Sequence, residues 1–497
     1  MRIASLPDFL LQRIDRATGQ PVNRQIYQVL REATLSHQLP AGLQLPSSRE
    51  LARELAMSRN TVTHAYEQLI AEGYLETRAG AGTFIADTVP DQIVDICRNS
   101  RSDTDHLGQV GLSNRGAQLI QRAGVSALQW GAFMPGVPDV TQFPSKVWSR
   151  LQNKHWRRSR AELLTYGQNG GYLPLREAIA EYLRVARSVN CRTGQIIITT
   201  GIHQSIDLAA KLLGEHGDRA WVEEPCYWGT RSVCKSLGIT PVPIEVDAEG
   251  MQVHQTDALH PTHPPRFIFV TPSHQYPLGT IMSLSRRRLL LEYAAAHKAW
   301  IMEDDYDSEF RYGSRPLASL QGLDTHERVL YMGTFSKTIF PGLRIGFLVV
   351  PESLSDAFAT GHSELYRGGQ VFMQAILADF MTEGYFASHI RRMRVLYGER
   401  LRLLQQAIAR HFSDTIDFSN ADAGLHLTLH LPASCDDFAI SREARAAGII
   451  ALPLSGYYMQ AVSAKRGLML GYACVSNEQI APAFDKLAGI IKRHWPA

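Results

Sequence analysis

The segment Gly333 to Gly346 reads GTFSKTIFPGLRIG and holds Lys337 in apolar, glycine-flanked company, with Thr334 and Ser336 just before it and Arg344 seven residues after. A lysine drawn out of water loses part of its preference for the ammonium form, which suits it to nucleophilic amine chemistry. Asp304 follows the apolar run Ala299 to Glu303, so it ends an expected strand, the position at which α/β sheets bind ligands. An ionised carboxylate there keeps a ring nitrogen protonated, and Tyr306, two residues on, can donate to a phenolic oxygen. Asp305 and Asp307, in the same EDDYDSE cluster, are rivals for the role, and a solvated turn is expected for one or both.

Thr199 to His203 (TTGIH) runs from an apolar strand into a helix, so the backbone N–H groups of Ile202 and His203 can bind a phosphate, with Arg344 completing the anion site. Tyr227, after Glu224-Pro225-Cys226, is the candidate for stacking on a ring, and a core tyrosine is the alternative. His274 and Gln275, in TPSHQYPLG, fall where a polar contact to the ring's edge is wanted. A lysine, a carboxylate, a phenol donor, an aromatic and an anion site are together what pyridoxal 5'-phosphate requires, and that cofactor is the expectation. The six cysteines (Cys97, Cys191, Cys226, Cys234, Cys435, Cys474) form no Cys-x-x-Cys pair and lack a His-rich neighbourhood, so reduced thiols and no metal are expected. Cys226 is singled out because it lies beside Tyr227.

A different chemistry occupies the N-terminal part. Apolar Ile26, Val29, Leu30 and Ala33 give a helical stripe over Val22 to Ser36, which Leu39-Pro40-Ala41-Gly42 ends. Pro46-Ser47-Ser48 caps a second helix running to about Ala56, and Ser58 caps a third with Val62, Ala65, Tyr66, Leu69 and Ile70 on its buried face. Tyr74 to Ala86, turning through Arg78 to Gly82, is expected to be a hairpin. In such a winged helix-turn-helix the N-terminal end of the third helix enters the major groove. That end carries Ser58, Arg59, Asn60, Thr61 and Thr63, suited to base edges and phosphates; Ser48 and Arg49 suit the backbone, and Arg78 lies on the wing.

A chain of 497 residues with 45% hydrophobic and 20% charged residues fits two to three soluble domains. The net charge of +3 means that a nucleic-acid surface must be a local patch. No apolar run approaches ~18 to 20 residues and no signal peptide stands at the N-terminus, so a cytoplasmic location without membrane contact is expected. The domain assignment is 20–87 for the winged helix, 88–126 for a polar linker (RNSRSDTDHLGQ), and 127–497 for an α/β domain. In the last, the strand-like runs at 196–200, 220–223, 267–271, 300–303, 329–332 and 345–350 alternate with helices, the rhythm of a parallel sheet. From about Phe380 a smaller α+β subdomain follows, helical over 390–412 and with strands near 425–431 and 467–472.

The pieces LPSSRELA, SRNTV, AYEQL, EGYLE and GTF closely resemble the GntR-type winged helix, which implies binding of a double-stranded DNA operator by the residues named above. EEPCYWG, TPSHQYPLGTIMS, EDDYDSEFRY and GTFSKTIFPGLRIGFLV resemble fold-type I aminotransferases, and the combination is similar to the MocR-type (GabR-like) regulators. That resemblance implies that Lys337 forms the internal aldimine, Asp304 partners the pyridine nitrogen, Tyr306 serves the phenolic oxygen and Arg344 the phosphate. It also implies a head-to-tail homodimer and a small-molecule effector, either an amino compound or the cofactor itself. One departure stands out: the slot for the arginine that clamps a substrate carboxylate holds Met469 in GLMLGYA, and methionine makes no such clamp. Arg466 and Arg231 are the candidates to replace it, and an effector that is not an α-amino acid is the other solution. The rival function is a working aminotransferase with the winged helix as an accessory module.

Overall fold

The computed structural model describes residues 6–15, 18–36, 38–78, 80–87, 111–121, 130–157, 160–167, 169–253, 264–313, 318–413, 415–419 and 423–495. The chain divides into two compact units between Gly111 and Leu112.

In the first unit the helices are α1 (Leu6–Leu11), α2 (Val22–Leu35), α3 (Ser48–Glu54) and α4 (Arg59–Ala71), with strands β1 (Gln44–Leu45), β2 (Leu75–Arg78) and β3 (Gly82–Ile85). Both expected caps form: Ser47 Oγ accepts from Glu50 N and Ser58 Oγ from Thr61 N, each at 3.2 Å. Ile26, Leu30, Leu51, Val62 and Leu69 make one buried core. The wing has a third strand that the hairpin expectation lacked, because β1 pairs with β3 (Gln44 opposite Phe84) to give the order β1-β3-β2. Two residues carry too little periodicity to register as a strand. Helix α1 precedes the expected start of the domain, yet Leu10 is fully buried in the same core.

The expected linker lies outside the described residues except for 111–121, and there the structure differs from a linker: α5 (Asn114–Gln121) packs against α8 (Trp228–Ser236). In the second unit α6 (Leu173–Arg187) and α7 (Ile202–Leu213) accompany an eight-stranded sheet. Its strands are β4 (Ile196–Thr199), β5 (Arg219–Glu224), β6 (Thr240–Asp247), β7 (Gly250–Met251), β8 (Phe267–Val270), β9 (Trp300–Asp304), β10 (Val329–Thr334) and β11 (Gly346–Val349). Their order is β4-β11-β10-β9-β8-β5-β6-β7. Phe267 and Phe269 enter one core and Ile268 and Val270 another, so both faces are covered. That is why these strands are continuous apolar runs rather than alternating ones.

The sheet is not wholly parallel. β11 runs antiparallel to both β10 and β4. Only eleven residues separate β10 from β11, fewer than the dozen or so a parallel crossover needs. β6 was not expected from the sequence, since Pro241 and Pro243 weaken the strand signal. The C-terminal subdomain contains α9 (Tyr385–Phe412), α10 (Asp437–Ala446), α11 (Asn477–Arg493), which packs along α9, and the sheet β12 (His426–His430), β14 (Gly467–Gly471), β13 (Leu452–Pro453). Among the described residues no helix is long and apolar enough to cross a membrane.

Burial of Leu10 makes α1 part of the first unit's core, so Leu10→Ala is expected to destabilise that unit by about 2 to 5 kcal/mol. Native-state hydrogen exchange of the α4 amides in the full chain measures it, and unchanged protection would remove α1 from the folded unit.

Candidate functional site

The functional groups gather at the edge where β5, β8, β9 and β10 end. The reversal of β11 has a direct consequence here: Arg344, just before β11 begins, is returned to the edge that β10 has just reached. There the guanidinium lies near Gly201, whose added Cβ would meet its nitrogens at 3.8 and 3.9 Å. Gly201 caps α7 at φ 129 with no side-chain acceptor, leaving the N-terminus of α7, with Ile202 and His203, open beside Arg344.

Lys337 follows the end of β10, and its Nζ donates to Gly136 O at 2.8 Å. Burial lowers its pKa, helped by Arg344 and opposed by Asp307 and Asp304. Just before it, Thr334 Oγ1 accepts from Ser336 N at 3.2 Å, which tightens the turn that carries the lysine.

The three neighbouring acids have separate fates. Asp305 is held by Arg187 through two bonds of 2.7 and 3.0 Å, and also by Ser308 Oγ (2.8 Å) and the Tyr331 hydroxyl. Asp307 lies 3.1 Å from His274 Nδ1. Both are buried, which corrects the solvated turn expected for one or both of them: a packed arginine and histidine substitute for water. Asp304 is the one left over, with Oδ1 buried and no hydrogen-bond partner among the described residues. Its pKa is pushed up to about 8, first by burial and then by Asp305, against the pull of Lys337.

Tyr306 is buried and its hydroxyl lies 3.0 Å from His274 Nδ1. Tyr227 caps α8 and bonds through its hydroxyl to His203 Nε2 at 2.9 Å. Burial, and next Arg344, lower the pKa of His203, which favours the neutral ring. Gln275 is spent on structure: its amide donates to Pro225 O (2.8 Å) and Tyr276 O (2.9 Å). Cys226 is a buried thiol pushed up to about 12, so it supplies no thiolate.

Three aromatic residues were missed by sequence reasoning. Tyr276 stands edge-on to Tyr306 at 5.6 Å and to Tyr227 at 5.8 Å, and meets Tyr457 at 5.5 Å and His426 at 5.4 Å. Tyr276 was within reach, inside the TPSHQYPLG run; Tyr457 and His426 come from the C-terminal subdomain, which local patterns cannot connect to the site. Met469 lies opposite Thr428 in β14 and is fully buried. Leu468 and Leu470 point into the main core, so the pleat turns Met469 to the other face, shared with Thr428, whose Oγ1 donates to Pro277 O at 2.6 Å. Arg466 is already engaged, 3.2 Å from both Asp437 Oδ1 and Ser455 Oγ, and Arg231 donates to Tyr457 O at 3.2 Å.

In the first unit Arg49, Ser58, Arg59 and Asn60 are exposed, while Ser48, Thr61 and Thr63 are half-buried. Ser58 serves α4 as its cap, and its Oγ is also 2.9 Å from Thr61 Oγ1. Arg78 is exposed but bonds Glu76 at 2.6 and 2.9 Å, and lies 4.6 Å over the ring of Phe84.

Residues 22–85 match the family of bacterial regulatory proteins named gntR, and residues 136–487 match aminotransferase class I and II. A relative from Rhizobium meliloti, the "Probable rhizopine catabolism regulatory protein MocR", is 40% identical over 95% of this chain and 94% of its own length. This chain belongs to the GntR-type regulators fused to an aminotransferase-like domain. Another member of this group, the pyridoxine biosynthesis transcriptional regulator PdxR of Corynebacterium glutamicum, is 29% identical over 90% of this chain and 91% of its own. An archaeal alanine:glyoxylate aminotransferase of known structure superposes with a TM-score of 0.69 at 25% identity, covering 76% of this chain and 94% of that one. The fold of the second unit is therefore that of the aminotransferases, and the first unit is a DNA-binding module of the GntR type.

The upward shift of Asp304 has a sign that can be tested. A carboxyl raised from 3.8 to about 8 favours folding fully at pH below its ordinary value, and that contribution is lost as pH climbs through 8. The cofactor-free Asp304→Asn protein is thus expected to melt above cofactor-free wild type, by several degrees at alkaline pH. Calorimetry should show the gap growing between about pH 4 and 8 and levelling off beyond; a gap independent of pH would refute the assignment.

Proposed function

We propose that this regulator binds pyridoxal 5'-phosphate in its aminotransferase-like domain and senses an amino compound, or the cofactor itself, through amine chemistry at Lys337. The observation that carries the reading is Asp304, whose Oδ1 is buried without a partner. An orphaned carboxylate oxygen at low dielectric costs free energy unless a cation or donor meets it, and a protonated ring nitrogen does so. The other residues fit the same group. Ile202 and His203 at the uncapped N-terminus of α7, with Arg344, hold the phosphate. Tyr306 faces the phenolic oxygen, Tyr227 the ring, and Thr334 and Ser336 shape the turn around Lys337. Bound there, the cofactor supplies an aldehyde that condenses with primary amines and a ring that withdraws electrons.

The chain's own contribution is to ready that chemistry. Lowering the pKa of Lys337 by burial enlarges the share of its amine that is free to act as a nucleophile. Met469 on the site-facing side of β14, and the engagement of Arg466 with Asp437, favour an effector without an arginine-clamped carboxylate. Moving Arg466 inward would strip Asp437, a fully buried carboxylate, of its cation. This disfavours the reading of Arg466 as the effector's carboxylate ligand.

On the DNA side, the N-terminal end of α4 presents Arg59 and Asn60 to base edges, with Thr61 and Thr63 nearby, while Ser48, Arg49, Ser58 and Arg78 contact the phosphates. A homodimer would place two such helices on one operator. An effector that binds two arrangements of the dimer unequally then shifts DNA affinity by that difference and no more.

Two measurements test the two halves. Purified wild-type protein supplied with pyridoxal phosphate should show a visible absorbance band that borohydride fixes to Lys337, and Lys337→Ala should lose it; survival of the band in the variant defeats the cofactor half. Arg59→Ala should weaken operator binding at fixed salt by roughly 1 to 3 kcal/mol, and unchanged affinity defeats the placement of α4.

A further inference from the structure

We propose that Asp307 and His274 act together as positioning residues that fix the direction of the Tyr306 hydroxyl hydrogen, turning it into the cleft. The inference rests on the pyridoxal-phosphate reading above, since the hydrogen is aimed at the place where the phenolic oxygen of that cofactor would lie.

His274 Nδ1 has two oxygen neighbours, Asp307 Oδ2 at 3.1 Å and Tyr306 Oη at 3.0 Å. A carboxylate can only accept, so the proton of the imidazole belongs on Nδ1, facing Asp307. The far side of the ring agrees. Nε2 is buried and has no partner among the described residues, and Gly279 closes over it, with an added Cβ only 3.3 Å away. A bare lone pair tolerates such a wall better than an N–H does. With Nδ1–H shared between the two oxygens, Tyr306 can only accept from His274. Its own hydrogen must point elsewhere, and Tyr306 has no second hydrogen-bond partner among the described residues.

The surroundings leave the arrangement little freedom. His274 and Asp307 are 2% and 1% exposed. Gly424 lies across the pair at φ 83; a Cβ there would come within 2.1 Å of His274 Cε1 and 2.8 Å of Asp307 Oδ2, so only glycine fits. From β12, His426 stacks at a tilt 5.2 Å from His274. Its Nε2 meets Pro277 O at 3.2 Å, and because a carbonyl also only accepts, Nε2 holds the proton and Nδ1 presents a lone pair. His426 is pushed down to about 3 by burial, so it brings no charge to the group. The other ionisable groups in electrostatic reach of Tyr306 or Asp307 are Tyr276, edge-on to Tyr306, with Tyr312, Tyr472, Lys337, Asp304 and Glu223.

A donor to the phenolic oxygen favours its ionised form and so lowers the pH at which the visible band of the lysine-bound cofactor changes. The sign separates positioning from simple charge. Asp307→Asn replaces the carboxylate by an amide that can donate to Nδ1, shifting the imidazole proton to Nε2 and letting Tyr306 donate to Nδ1 instead. The band's midpoint should then rise by about one to two pH units, the worth of one hydrogen bond to a charged group. Mere loss of a negative charge near Lys337 would lower it. In a Tyr306→Phe background the same substitution should lower the midpoint or leave it unmoved. A fall or no change on Asp307→Asn alone, or an equal rise in both backgrounds, overturns the proposal. If Asp307→Asn does not fold, neutron diffraction of the wild-type protein decides the matter: deuterium on His274 Nδ1 supports it, deuterium on Nε2 overturns it. Absence of any visible band from wild type would instead defeat the cofactor reading itself.

Discussion

Three carboxylates within four residues, Asp304, Asp305 and Asp307, stand at the low-dielectric edge of the sheet. Like charges so close cannot all remain ionised there unless each is matched. The fold satisfies two of them from opposite directions. Arg187, the last residue of α6, reaches Asp305 together with Tyr331 and Ser308, and His274, beyond the end of β8, reaches Asp307. This pairing fixes the loop after β9 and leaves Asp304 alone facing the cleft. Among these three acids, Asp304 is thus the one left unmet by the way its neighbours' needs are met.

From that constraint the positions of the remaining groups follow. The loop after β9 holds Tyr306 against His274, and the turn after β10 brings Lys337 within electrostatic reach of both Asp304 and Asp307. The antiparallel β11 then carries Arg344 back to Gly201 at the head of α7. Had β11 run parallel, Arg344 would lie at the opposite edge of the sheet, and the uncapped N-terminus of α7 would lack a neighbouring cation. The short connection between β10 and β11 is therefore as much a part of the site as the side chains it positions.

Much of this was legible in the sequence because it is local. Caps such as Ser47 and Ser58 act within one turn, and runs such as FIFV at 267–270 announce a buried strand by composition alone. The carboxylate at the end of β9 and the lysine after β10 could be located for the same reason. What stayed hidden depends on pairing at a distance. The three acids look equivalent in EDDYDSE, and only Arg187 and His274, far away in sequence, tell them apart. The strand β6 was obscured by two prolines, and β1 by its length. Tyr457 and His426 enter the cleft from another subdomain.

The C-terminal subdomain bears on the physical difference between sensing and turnover. A transaminase must hold its amino acid rigidly enough to guide a proton between substrate and lysine, and a bidentate arginine is an effective way to do so. Here the corresponding face of β14 offers buried Met469, and the nearby arginine is committed to Asp437. What remains around the cleft is an aromatic and hydroxyl-bearing wall of Tyr227, Tyr276, Tyr306 and Tyr457. Such a wall can select an amine by shape and hydrogen bonding while holding its substituents less firmly than an ion pair would. Recognition needs only that one arrangement of the protein bind the ligand better than another, whereas turnover needs the reacting atoms aligned in every cycle. A cleft whose neighbouring Arg466 is tied to Asp437 suits the first demand better than the second.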